Sequence, residues 1–171
     1  MDLADGLFAR GIRAAFNKYV QAAASINLWD GGSYSGIVSP FLLAGQAQLV
    51  DPLPAVAVCM YGVNGTGSAD DFATMQTRIS AALRADFGAT MGIVIVRVPQ
   101  TYVVGHAPMS AMVASQEAYV ASDANSLLAR YDDATFYDGT HPDAASGRRL
   151  AVGPDVPGVV KSVLTCIEEF I

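Results

Sequence analysis

The sequence predicts an α/β fold in which a parallel sheet is covered by helices on both faces. Two continuous apolar runs, residues 55–61 and 91–98, are bounded by proline and glycine and are typical of buried parallel strands. Strands and amphipathic helical segments alternate four times along the chain, which favours parallel pairing. With 171 residues and no linker, repeat or low-complexity tract, residues 1–171 are predicted to form a single domain.

The first third of the chain is predicted to contain two helices and a strand. Apolar residues at helical spacing indicate an amphipathic helix over residues 3–24, although glycines weaken its first turns. Residues 25–29 are a predicted short strand, and residues 30–36 are a loop by their glycine and serine content. A short helix is predicted over residues 37–49.

The rest of the chain follows the same alternation. Ser68 is a candidate N-cap because acidic residues occupy the first turn after it, and the helix it begins is expected to stop near Gly88. The predicted elements after residue 50 are the strand 55–61, the helix 69–88, the strand 91–98, the helix 109–122, the strand 126–131, and the helices 144–152 and 156–170.

Composition excludes several classes of function. The net charge is −6 and the ten Lys and Arg residues are scattered, whereas binding to a nucleic-acid backbone needs clustered cations. No apolar run reaches the roughly 20 residues that span a bilayer, and no signal-peptide pattern is present, so a soluble chain of open localisation and oligomeric state is expected. Two histidines without a Cys/His cluster predict no metal site, and no cofactor is expected. Cys59 is expected to be a buried free thiol.

Three polar or glycine-rich loops follow predicted strands and therefore share one edge of the predicted sheet. They comprise residues 30–36, 62–67 and 137–143. Ligands of open α/β sheets bind outside the carboxyl ends of the strands. The candidate site is therefore expected at this edge.

The loop 137–143 contains Asp138 and His141, a spacing that suits a general base and its orienting carboxylate. A catalytic histidine needs its second ring nitrogen held by an acceptor, which fixes the tautomer and stabilises the imidazolium. The alternative interpretation is that Asp138 caps a turn and His141 is an ordinary surface residue.

Residues 138–151, Asp-Gly-Thr-His-Pro-Asp-Ala-Ala-Ser-Gly-Arg-Arg-Leu-Ala, closely resemble the last block of the SGNH (GDSL-type) hydrolases, D-x-x-H-P/F-[ND]-x-x-G-x-x-x-[LI]-A. The resemblance implies a three-layer, flavodoxin-like α/β/α fold and ester hydrolysis by a His/Asp-assisted serine. Residues 109–151, including Gln116, are similar to the carbohydrate O-acetylesterase branch. This similarity implies a carbohydrate ester or a small acyl ester as substrate.

The resemblance also assigns an oxyanion hole. The family carries an asparagine in a Gly-x-Asn block after a buried strand, and Asn64 occupies that position in Gly62-Val63-Asn64. It also carries a glycine about 30 residues upstream, which Gly32 matches. These groups imply stabilisation of an acyl-transfer oxyanion. Alternatively, Asn64 is a turn residue and Gly32 a loop glycine.

The nucleophile is the part of the family pattern that departs here. The Gly-Asp-Ser block has its closest match in Ala4-Asp5-Gly6, which puts Gly6 in the place of the serine and leaves the usual first strand without a counterpart. Three explanations are open. The serine lies upstream or on another chain, or the protein is a catalytically inactive binding or structural module. In the third, Ser33 or Ser35 is the nucleophile. Ser33 lies in a segment that resembles an α/β-hydrolase nucleophile elbow, so an α/β-hydrolase-like enzyme is a further alternative.

Overall fold

The computed structural model describes residues 3–12, 56–60, 69–99, 109–138 and 141–171. These form, in chain order, α1 (Leu3–Ala9), β1 (Val56–Cys59), α2 (Ala69–Phe87), β2 (Gly92–Val96), α3 (Ser110–Ser122), β3 (Ser126–Tyr131), α4 (Ala144–Val152), β4 (Val160–Lys161) and α5 (Val163–Glu168). The four strands make one sheet in the order β1-β2-β3-β4, with β1, β2 and β3 parallel and β4 antiparallel to β3. The predicted α/β fold with a parallel sheet is confirmed. The predicted strand 25–29 and helix 37–49 lie outside the described residues.

Strand β2 is buried on both of its faces. Ile93 packs in one apolar cluster with Phe72 of α2 and Tyr119 of α3, whereas Val94 packs in a second cluster with Leu150 of α4. Consecutive strand residues point to opposite faces. Because both faces of β2 are covered, all of its residues are apolar, which explains the continuous apolar run in the sequence. No helix among the described ranges is long and apolar enough to cross a membrane. The finer flavodoxin-like arrangement stays a prediction.

Helix α1 is shorter than the predicted helix 3–24, because it ends at Ala9. Gly11 takes a positive φ of 75°, its N–H donates to the carbonyl of Phe8, and the N–H of Ile12 donates to that of Leu7. This pair of hydrogen bonds is the Schellman pattern that closes helix C-termini, and glycine suits its left-handed residue. A single unbroken helix over 3–24 was therefore wrong, and residues 13–24 lie outside the described part.

The predicted helix 156–170 was wrong in its first half. Residues before Ser162 instead form a turn and strand β4, and Val159 N donates to Val156 O across Pro157 and Gly158. Gly158 has a φ of 77°, so Pro-Gly occupies the two central positions as in a type II turn. Helix α5 starts only after Ser162, whose side chain caps it by accepting from the N–H of Thr165.

A partly buried polar network holds the amino end of β3 to α2 and α3. The Asp123 carboxylate accepts hydrogen bonds from Arg84 (2.8 Å), Tyr119 (2.9 Å) and Ser126 (2.7 Å). Burial alone raises the pKa of Asp123, but these hydrogen bonds outweigh it and lower the pKa to about 2. The network lies at the sheet edge opposite the loop 137–143, so its role is structural.

We expect Asp123→Asn to lower the free energy of unfolding at neutral pH by about 2 kcal/mol. The native pKa lies below that of an unfolded aspartate, about 3.9, so the carboxylate stabilises fully above that pH and the stabilisation is lost as the pH falls toward about 2. Urea denaturation of both proteins between about pH 7 and 3 measures the effect. If the free energy of unfolding falls equally with pH in the two proteins, the stabilising role of Asp123 is contradicted, because every other carboxylate is common to both.

Candidate active site

The candidate site is a closed loop that follows the carboxyl end of β3. At its base, Asp143 N donates to Thr135 O at 2.8 Å, and Tyr137 N donates to His141 O at 3.1 Å. Phe136 and Pro142 form an antiparallel bridge between these two bonds. The loop therefore returns on itself like a short hairpin, and it lies at the sheet edge where the sequence placed the site.

Asp138 holds His141 by two atoms. Its Oδ1 accepts from the backbone N–H of His141 at 2.7 Å, and its Oδ2 lies 2.7 Å from the ring Nδ1. A carboxylate accepts and does not donate, so Nδ1 carries the proton of the neutral ring and Nε2 is the basic nitrogen. The His141 side chain is 63% exposed, so the ring is accessible to a ligand. The predicted pairing of Asp138 with His141 is present.

The end of the loop is fixed by Asp143, which caps α4. Its side chain accepts from Ser146 N at 2.7 Å and from the hydroxyl of Thr135. These bonds, first from Thr135 and then from Ser146, lower the pKa of Asp143 to about 2, so the cap is ionised at neutral pH. The buried Ser146 hydroxyl in turn accepts from Thr135 N at 2.9 Å. Asp143, two positions after His141, thus anchors the loop to α4.

Tyr137 stacks on His141, a contact to which the sequence interpretation gave no role. The two ring centroids are 5.8 Å apart and the ring planes differ by 20°. Both residues face the same side because they lie opposite each other across the closed loop. An aromatic residue directly before an Asp-x-x-His pattern is the available sequence signal.

A buried arginine connects the carboxyl end of β2 to that of β3, and sequence reasoning missed it. Arg97 follows β2, is 1% exposed and pairs with Glu117 of α3 and with Asp132, the residue after β3. Next to it, the buried Gln116 side chain accepts from Val98 N at 2.9 Å. Gln116 and Arg97 therefore join α3 to the segments at the carboxyl ends of the strands. A single arginine at the end of an apolar strand was the only signal.

The structure does not describe the remaining predicted site residues. Gly32, Ser33, Ser35 and Asn64 lie outside the described residues, so the oxyanion hole and the alternative nucleophile stay predictions. Among the described residues, no hydroxyl is hydrogen-bonded to the His141 ring.

The expected correspondence between Gly6 and the missing serine needs correction. Gly6 is buried in the middle of α1, not after a strand, and a Cβ there would lie 2.8 Å from Val152 Cγ1. Val152 ends α4, about 12 Å along the helix axis from its start beside the His141 loop. Gly6 is therefore a close-packing glycine remote from His141, and a serine at this position does not meet the imidazole ring.

We expect Gly6→Ser to destabilise the protein by about 1–3 kcal/mol without creating esterase activity, because the added atoms overpack the contact with Val152 and Leu164. Urea denaturation measures the first effect and p-nitrophenyl acetate hydrolysis the second. Gly147, around which a Cβ meets nothing within 4 Å, supplies the control Gly147→Ser. Activity gained by Gly6→Ser contradicts the assignment.

The cysteines are not alternative nucleophiles. Cys59 and Cys166 are both buried and neither is in a disulfide bond, as predicted for Cys59. Burial raises the pKa of Cys166 to about 12, so its thiol stays protonated at neutral pH, whereas the reactive form of cysteine is the thiolate.

Comparison with protein-family models, with curated proteins and with solved structures finds no match to this chain.

Proposed function

We propose that this protein is an ester hydrolase of SGNH type that removes an acetyl or other small acyl group, with a carbohydrate ester as the preferred substrate class. The proposal depends chiefly on the Asp138–His141 pair. The carboxylate binds both the backbone and the ring of the histidine, and this selects the tautomer with a basic Nε2 on an accessible ring. The resemblance of residues 138–151 to the family supports the same chemistry.

In the proposed reaction, His141 Nε2 takes the proton of a serine hydroxyl while that oxygen attacks the acyl carbon. The resulting oxyanion collapses, the ester C–O bond breaks, and the imidazolium returns the proton to the leaving alcohol. Water then hydrolyses the acyl-enzyme by the same proton transfers. Asp138 stays ionised throughout and stabilises the imidazolium through Nδ1–H. Ser33 is the candidate nucleophile, with Gly32 N–H and the Asn64 amide as oxyanion donors.

A catalytically silent binding module is the second candidate. One observation favours it: Gly6, the closest sequence match to the family's serine, is buried inside α1 against Val152. Such a module binds a ligand at the carboxyl edge of the sheet but does not hydrolyse it.

Hydrolysis of p-nitrophenyl acetate and of an acetylated sugar separates the two candidates. We expect wild-type turnover above the rate of His141→Ala, and loss of that turnover in Ser33→Ala. A wild-type rate equal to that of His141→Ala overturns the hydrolase proposal. Turnover that survives Ser33→Ala but not His141→Ala keeps the hydrolase and assigns the nucleophile to another residue, with Ser35→Ala as the next variant.

A further inference from the structure

Tyr137 stacks on His141, and the proposed reaction assigns no role to the tyrosine. Tyr137 is 71% exposed, and burial of its own ring therefore does not account for its position. The backbone hydrogen bond from Tyr137 N to His141 O sets the two residues opposite each other, and their rings lie nearly parallel at 5.8 Å. An aromatic ring thus lies beside the imidazole in an offset stack.

The neighbouring Tyr137 ring restricts a motion that Asp138 leaves open. Asp138 Oδ2 holds the ring at one atom, Nδ1, and a side chain held at one atom on an exposed loop still tilts about that contact. A ring stacked against the imidazole opposes this tilt and keeps Nε2 in one direction, which matters because proton transfer depends on alignment.

The stacked ring also favours the charged form of the base. An aromatic ring attracts a cation whose centre lies within about 6 Å of the ring centroid, and the imidazole centroid lies 5.8 Å from that of Tyr137. The imidazolium exists only after His141 has accepted a proton. This attraction is therefore stronger during the reaction than before it.

We propose that Tyr137 is a positioning residue: its ring orients the His141 imidazole and stabilises the imidazolium. Its effect on turnover rests on the proposed hydrolase function, whereas its effect on the ring of His141 does not. The hydroxyl of Tyr137 has no part in the proposal. Phenylalanine at this position is therefore expected to keep the effect, and leucine is expected to lose it.

The kinetic test compares Tyr137→Leu and Tyr137→Phe with wild type on p-nitrophenyl acetate. We expect Tyr137→Leu to lower kcat about two- to fivefold with KM unchanged, the size of an exposed cation–aromatic contact, and Tyr137→Phe to retain wild-type kcat. Phe8→Leu is the matched control, because Phe8 is equally exposed but belongs to α1. An unchanged kcat in Tyr137→Leu overturns the proposal, and so does a change confined to KM, which identifies a substrate contact instead.

The second test reads the ring of His141 directly by NMR. The chain has two histidines, so His106→Gln assigns the imidazole signals. We expect the ring protons of His141 to lose the ring-current shift caused by Tyr137, and the ring to gain mobility, in Tyr137→Leu but not in Tyr137→Phe. Unchanged signals in Tyr137→Leu overturn the proposal. If wild type shows no His141-dependent turnover, the hydrolase function fails and Tyr137 loses its catalytic role, while the NMR comparison still decides whether it orients the ring.

Discussion

Asp138→Asn is expected to lower kcat/KM for p-nitrophenyl acetate by about 10²–10⁴ while the protein stays folded. Asparagine has one side-chain oxygen, whereas Asp138 accepts from both the backbone N–H and the ring Nδ1 of His141. If the amide oxygen keeps the backbone N–H, the NH₂ group faces Nδ1 and donates to it. That contact selects the tautomer with the proton on Nε2, and the ring can no longer act as a base.

The reverse orientation of the amide does not help, because it sets the NH₂ group against the His141 N–H. Asp133→Asn is a matched control: Asp133 and Asp138 side chains are 40% and 41% exposed, and Asp133 pairs with Arg149 rather than with His141. We expect this control to keep wild-type activity. Equal activity in Asp138→Asn and wild type limits Asp138 to capping a turn, the alternative that the sequence left open.

Arg97→Met is expected to lower the free energy of unfolding by about 3–5 kcal/mol, measured by urea denaturation. The guanidinium is almost completely buried and pairs with Asp132 and Glu117. Glu117 lies at the surface and can be hydrated again after the substitution. Asp132 is largely buried, so it loses the charge that compensates its own removal from water.

Two further proteins test this explanation. Arg97→Met combined with Asp132→Asn is expected to be more stable than Arg97→Met alone, because the buried carboxylate that faced the lost guanidinium is no longer charged. Arg10→Met removes the exposed pair with Glu168 and is expected to cost only about 0–1 kcal/mol. A loss in Arg97→Met no larger than in Arg10→Met contradicts the account of Arg97.

Much of the fold could be predicted where local pattern and tertiary contacts agree. The predicted strand 126–131 and helix 144–152 coincide with β3 and α4, and the apolar run 91–98 contains β2. Two glycines account for the errors in the predicted helices. Gly11 was expected only to weaken the helix 3–24, and Gly158 was placed inside the helix 156–170. Gly11 ends α1 and Gly158 forms the turn before β4, because each adopts a positive φ. Periodicity alone does not reveal such a conformation.

The spacing Asp138-x-x-His141 by itself determined the pairing of these two side chains, because residues three positions apart on one tight loop lie close together. The tertiary structure alone decided the other features of the site. Arg97 meets Asp132 35 residues later, and Gly6 packs against Val152 at the far end of α4 instead of facing His141. These contacts depend on how β2 and β3 pair and on which helices cover them. No short-range pattern encodes that arrangement, because each partner lies on a different element.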